Sequence, residues 1–248
     1  MRIIVCDIIR VMNLEEKLQR SKSKERVDFS KFQSINRREP LVKIVSTDKI
    51  LVKPNWTIPG DFEGGMYADY ISEHPKYDGV YVRLELLKRV ELAAKSLTHT
   101  YQLVIRAGHR PIAVQKRLLK ECAADYKKDN PDTSDEEAMR HARDFVSDPD
   151  ITLPPHVCGA AVDVELIDSS TGIYLDFGST MNDDNEKSYL YSPDLTEEQK
   201  TNRLILVKAM LDAGLASCMT EWWHFSYGDQ LWAWFYHKEN SLYSPVDI

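Results

Sequence analysis

No stretch of this 248-residue chain approaches the ~18 consecutive apolar residues that span a bilayer, so no membrane-crossing helix is expected. Basic charge is also in short supply. Lys and Arg number 32 against 39 Asp and Glu, for a net charge of -7. Broad binding to nucleic-acid phosphates needs the opposite balance. The run RSKSKER, Arg20 to Arg26, is the local exception and is read as a solvated segment. The four cysteines, Cys6, Cys122, Cys158 and Cys218, lie far apart without a C-x-x-C pair, and free thiols are expected. Gly64-Gly65 has neither the Lys-Ser/Thr of a phosphate loop nor the spacing of a dinucleotide fold. The opening MRIIVCDIIRVM is broken by Asp7 and Arg10, and no small-residue cleavage site follows it. A cytoplasmic location is therefore expected, with no nucleic-acid or membrane partner.

What is present suits a folded globular chain. Hydrophobic residues make up 43% and charged residues 29%, and a compact chain of this length buries roughly 70–75% of its unfolded surface. A single domain over residues 1–248 is expected, with 1–40 as an N-terminal extension packed on the body. Alternation in VKIVSTDKILV predicts strand structure, and NWTIPGDFEGGMYADY then predicts a Gly/Pro-rich aromatic loop. Leu84, Leu87, Val90 and Ala94 recur at helical spacing, and Tyr101 to Ala107 predicts a buried strand. Pro111 suits the first turn of a second helix, where its missing N–H is no loss. Ser134 suits the cap of a third. VDVEL alternates as a strand, and LTEEQKTNRLILVKAMLDAG predicts a long helix stopped by Gly214. LASCMTEWWHFSYG reads as strand and QLWAWFYHKE as a short aromatic helix. Helices and strands mixed without strict β-α-β alternation predict the α+β class.

Three segments carry chemistry. RAGHRP, Arg106 to Pro111, ends a predicted strand; PPHVCGAAVD sets His156 seven residues before Asp163; EWWHF sets Glu221 three residues before His224. A catalytic zinc takes three protein ligands and leaves a position for water, and His156, Asp163 and His224 would make such a set. On one continuous strand, residues seven apart face opposite ways, so the backbone must turn between His156 and Asp163. Gly159 is placed to permit that turn. Glu221 would then be a carboxylate beside a ligand, where a general base is needed, and Arg110 could stabilise an oxyanion. Spacing alone leaves open that these are satisfied structural groups. Cys158 is read as a small packing residue, Arg106 as a partner in an internal ion pair, and Glu165 as sharing the strand face of Asp163.

HVCGAAVDVEL, DFGSTMNDD, TNRLILVKAMLDAG and EWWHFSYG together resemble the D-alanyl-D-alanine dipeptidases, zinc peptidases of the type associated with vancomycin resistance. The resemblance runs from about residue 45 to about residue 235, and EWWHF with H-x-x-G-x-A-x-D in that order is highly specific. It implies an α+β, Hedgehog/DD-peptidase-like fold with a small antiparallel sheet carrying a zinc cleft flanked by helices. It also implies one Zn2+ per chain on His156, Asp163 and His224, with Glu221 as base and Arg110 as transition-state stabiliser. Asp183 and Asp184 match acidic positions of the family's loop. Two departures fall where substrate is recognised. The family's Asp-Gly-Tyr-Arg-Pro is Ala107-Gly108-His109-Arg110-Pro111 here, and its Ser two residues before the first zinc His is Pro154. Tyr67, His109, Pro154 and Trp223 are the candidate substrate contacts. The expected activity is hydrolysis of a small dipeptide such as D-Ala-D-Ala. The alternatives are a D,D- or L,D-carboxypeptidase acting on peptidoglycan stem peptides, and an inactive zinc-binding interaction domain.

Overall fold

A computed structural model describes residues 12–25, 27–55, 62–181 and 185–247, without the side chains of 62–66. The opening apolar run with Cys6, Arg26 of the basic run, residues 56–61 of the aromatic loop, and Asp183 and Asp184 lie outside the described residues. Chain order runs α1 (Leu14–Arg20), β1 (Leu41–Lys43), β2 (Ile50–Val52), α2 (Phe62–Glu73), β3 (Tyr81–Arg83), α3 (Leu84–Ser96), β4 (Tyr101–Ala107), α4 (Ile112–Asp129), α5 (Asp135–Phe145), β5 (Ala161–Asp168), α6 (Glu197–Asp212), β6 (Ala216–Ser217), β7 (His224–Ser226) and α7 (Gln230–Phe235). One five-stranded sheet has the order β2-β4-β5-β7-β6, and β1 pairs with β3 in a separate ribbon. Only the edge pair β2–β4 is parallel; the other pairs of the large sheet are antiparallel. The α+β expectation agrees with this architecture. No helix among the described residues is long and apolar enough to cross a membrane.

Strand alternation sorts the residues of the two central strands between the faces of the sheet. Leu103 and Ile105 of β4 and Val162, Val164 and Leu166 of β5 join Leu86 and Val90 of α3 and Leu206 and Met210 of α6 in the main core. Asp163 and Glu165 alternate with those core residues and so take the other face. A register shift between Ile105 and Ala107 sets Ala107 opposite Asp163. The Ser134 cap matches its sequence signal, accepting from Glu137 N, and Thr196 forms a capping box with Gln199 at the start of α6. Gly214 takes a φ of +85° after α6. Near the N-terminus, Lys17 Nζ donates to Leu211 O at 2.9 Å, and the Arg20 guanidinium lies 3.9 Å from the Trp234 ring centroid.

Two local expectations are corrected. The segment 55–70 is not loop throughout, because α2 begins at Phe62. Gly64-Gly65 disfavours a helix by about 1 kcal/mol per residue. Tyr67, Tyr70 and Ile71 nevertheless recur on one side and pack with Tyr77, Val114 and Leu118, and tertiary packing outweighs propensity. The second correction concerns LASCMTEWWHFSYG, which is a hairpin: β6 and β7 pair with Ala216 opposite Ser226, and Cys218 N donates to His224 O at 3.1 Å. Trp222 and Trp223 lie in its connection. Both are in the core, at 1% and 4% exposure, and Trp222 also lines a cleft with Phe177. Their rings are perpendicular, with centroids 5.4 Å apart.

The loop after β5 is held from α6. Buried Arg203 donates through Nε to Phe177 O at 2.8 Å, through Nη2 to Lys187 O at 2.6 Å, and through Nη1 to Tyr189 O. Phe177 in turn stacks on Trp222 at 4.1 Å. Replacing Arg203 by Met leaves several carbonyls without donors, at about 1–3 kcal/mol for each group that water cannot reach. Thermal unfolding should show Arg203→Met lowered by roughly 5–15 °C; a shift within 1 °C would mean that the clamp carries no weight.

Candidate metal centre

Asp163 and His224 are direct register partners across the β5–β7 pair. Their side chains meet on the face away from the main core, with His224 Nδ1 3.2 Å from Asp163 Oδ1. His156 arrives from the turn that precedes β5. Cys158 N donates to Pro154 O at 3.0 Å, Gly159 N to His156 O at 2.9 Å, and Gly159 has a φ of +67°. Arg83 fastens this turn to β3, its backbone N–H donating to Gly159 O and its Nε to Cys158 O, both at 2.9 Å. The turn anticipated at Gly159 is therefore present.

His156 Nδ1 lies 2.7 Å from the Gly108 carbonyl, which can only accept, so Nδ1 carries the proton. Nε2 is thereby the nitrogen turned toward the other two residues. It faces Asp163 Oδ2 at 3.3 Å and His224 Nδ1 at 3.1 Å. Ligand atoms of all three residues lie within 4.8 Å of one another, and all three residues are buried. Two imidazole nitrogens and a carboxylate oxygen converging with a fixed tautomer form a donor set that fits a metal ion.

Burial pushes the Asp163 carboxyl up, but the charges and hydrogen bonds of His156 and His224 outweigh it and hold the group well below the usual carboxylate range. Burial pulls His224 down, yet Asp163, Glu221 and Asp229 raise it to about 8. Glu221 Oε2 stands 3.7 Å from His224 Nδ1, with 43% of its side chain exposed. Desolvation pushes its carboxyl up, His224 opposes and Asp163 reinforces; the exposed fraction lets water screen part of that effect. Glu221 and His224 can both address the site because the chain turns between them, with His224 N donating to Glu221 O at 3.2 Å.

Arg110 is joined to the same turn, its N–H donating to His156 O at 3.1 Å. Its Nη1 donates to Gln115 Oε1, and Gln115 Nε2 donates to Ser147 O, each at 2.8 Å. Gln115 did not emerge from the motifs. The available signal was a polar residue on the buried side of α4, between Val114 and Leu119. Among the other candidates, Tyr67, His109, Pro154 and Trp223 are all buried. Tyr77 and Tyr67 donate to the His109 carbonyl, and His109 Nε2 donates to Val246 O at 2.7 Å. Burial lowers His109 to about 4, so its ring is neutral. Arg106 forms the expected ion pair, with Nε 3.6 Å from Glu165 Oε2.

The sequence pattern of the D-ala-D-ala dipeptidase family matches residues 84–243, well over half of the chain. The chain belongs to that family. His156, Asp163, Glu221, His224 and Arg110 all fall within the matched span, and by membership the protein is a metallopeptidase. It is similar to a D-alanyl-D-alanine dipeptidase of Synechocystis sp., 28% identical over 204 residues that cover 72% of this chain and 80% of that protein. A D-alanyl-D-alanine dipeptidase of Escherichia coli is 31% identical over 125 residues, 50% of this chain and 54% of that one. Among solved structures, a vancomycin-resistance D,D-pentapeptidase VanY in complex with Zn(II) gives a TM-score of 0.39 at 16% identity, covering 66% of this chain and 82% of that one. VanYB in complex with D-alanine-D-alanine gives 0.40 at 18% identity, with coverages of 64% and 79%.

A Cβ added at Gly159 would stand 2.4 Å from Leu41 Cδ2 while holding a φ of +67°. Gly159→Ala should cost about 1–2 kcal/mol from the left-handed backbone and displace His156. Melting and metal titration should both register it. Unchanged metal affinity would show that the turn does not set the donor geometry.

Proposed function

We propose that the protein is a zinc-dependent peptidase that cleaves a small D-amino-acid-containing dipeptide such as D-Ala-D-Ala, with one Zn2+ per chain held by His156, Asp163 and His224. The observation that carries this reading is the convergence of those three donors within 4.8 Å, beside the partly open Glu221 carboxylate. The substrate class follows the family and its two dipeptidase relatives. When bound, zinc supplies Lewis acidity, polarising the scissile carbonyl and letting water act as a nucleophile near neutral pH.

The chain's own groups complete the reaction. Glu221 takes the proton of the attacking water on its carboxylate and passes it to the leaving amine nitrogen. A carboxyl pushed above its ordinary value is suited to hold that proton between the two transfers. Arg110, steadied by Gln115, donates to the carbonyl oxygen as negative charge collects there. The cycle needs no covalent intermediate. Cys158 is fully buried and its thiol is pushed up to about 12, which unfits it as a nucleophile.

Glu221→Gln should keep its zinc by elemental analysis and lose turnover of D-Ala-D-Ala by roughly 10²–10⁴-fold. Retention of most activity would remove Glu221 from the base role. Arg110→Ala should lower kcat by about 10²–10³-fold with zinc retained. Release of D-Ala from a muramyl pentapeptide but not from the dipeptide would point instead to a stem-peptide carboxypeptidase.

A further inference from the structure

Gly108, His109 and Arg110 follow β4, which ends at Ala107, and they hold His156 from two directions. Gly108 O accepts from His156 Nδ1 at 2.7 Å, and Arg110 N donates to His156 O at 3.1 Å. Whatever fixes this short segment therefore fixes both His156 and the root of the Arg110 side chain. The strand ladder does not reach it, because the register of β4 with β5 stops at Ala107.

At the centre of the segment, His109 is 1% exposed. Its backbone N–H donates to Tyr81 O at 2.6 Å, and the Tyr77 hydroxyl donates to its carbonyl. Its ring reaches across 137 positions of sequence, Nε2 donating to Val246 O at 2.7 Å. Nδ1 is buried and has no partner among the described residues. A phenyl ring would fill the same space without burying an unpaired nitrogen, so packing alone does not account for the imidazole. What the imidazole adds is the bond to Val246.

The stretch around Val246 is tied to the same region from its own side. Val246 N donates to Val157 O at 3.1 Å, one residue after His156. Asp247 Oδ1 accepts at 3.3 Å from the N–H of Ile112, the first residue of α4. Ser244 O accepts at 3.1 Å from Nη2 of Arg83, the same guanidinium whose Nε holds Cys158 O. Residues 244–247 thus form a strap across the turn that carries His156 and the loop that carries Arg110. Of these ties, the imidazole bond is the one that joins the strap to residues 108–110. We propose that His109 is a positioning residue: by tethering Val246 it locks the strap and holds His156 and Arg110 in the geometry that metal binding and catalysis require. The inference rests on the peptidase reading above, and it moves His109 from the substrate contacts to the frame behind them.

The test compares the full chain with His109→Phe, which keeps a ring but removes the donor, and with His109→Gln, whose amide nitrogen can reach Val246 O. Zinc affinity is measured by chelator competition, kcat and KM on D-Ala-D-Ala with saturating zinc, and hydrogen exchange at the Val246 amide. His109→Phe should weaken zinc on the order of 10- to 100-fold and lower kcat by roughly the same factor with KM nearly unchanged. Exchange at Val246 should quicken while β4 and β5 keep their protection, and His109→Gln should restore most of all three readouts. Unchanged zinc affinity and kcat in His109→Phe overturn the assignment. A raised KM with zinc affinity intact also overturns it, by making His109 a substrate contact. If His109→Phe loses the protection of β4 and β5, Val246→Pro replaces it with the same expectations and the same overturning results, since it deletes the donor to Val157 O on the half-buried strap. Failure of the zinc-loaded wild-type protein to cleave any peptide would count against the peptidase reading alone, whereas zinc affinity and exchange decide the role of His109 without substrate.

Discussion

The antiparallel register that sets Asp163 opposite His224 is the constraint on which the rest of the site depends. Strand side chains alternate, so a slip of one residue in β5 would send Asp163 into the core and turn Val162 or Val164 toward the cleft. The core prevents this, because Val162, Val164 and Leu166 are fully buried against α3 and α6. Packing on one face of the sheet thereby holds the chemistry on the other. His156 has no such strand partner and depends on the Gly159 turn, fastened by Arg83.

The resulting arrangement is electrostatically demanding. The Asp163 charge raises the cost of ionising Glu221, and the two imidazole nitrogens of His156 and His224 stand 3.1 Å apart. A divalent cation relieves both conditions at once, neutralising the carboxylates and accepting both nitrogen lone pairs. Metal binding of this kind stabilises the fold as well as enabling catalysis. The surrounding polar groups are disposed accordingly: Gly108 O fixes the tautomer of His156, and Gln115 fixes the direction of Arg110.

Much of this was legible from residues alone where local chemistry is decisive. The buried run Tyr101 to Ala107 located β4, alternation located β5, the Ser134 cap located α5, Gly214 marked the end of α6, and Gly159 announced the turn that separates His156 from Asp163. Legibility failed where tertiary contacts override local preference. Gly64-Gly65 masked α2, whose stability comes from Tyr67, Tyr70 and Ile71 packing on Tyr77 and Val114. The uninterrupted apolar and aromatic character of LASCMTEWWHF concealed a hairpin, although the demand that Glu221 and His224 serve one site implied a bend. The role of Gln115 depends on side-chain geometry that no spacing encodes.

X-ray absorption at the zinc edge of the loaded protein tests the central claim most directly, because it reads the donor atoms themselves. One zinc per chain should show nitrogen and oxygen neighbours at about 2.0–2.2 Å and none at the ~2.3 Å of a thiolate. The His156, Asp163 and His224 assignment predicts this spectrum. A sulfur shell, which would bring in a cysteine such as Cys158, or the absence of stoichiometric zinc would contradict it.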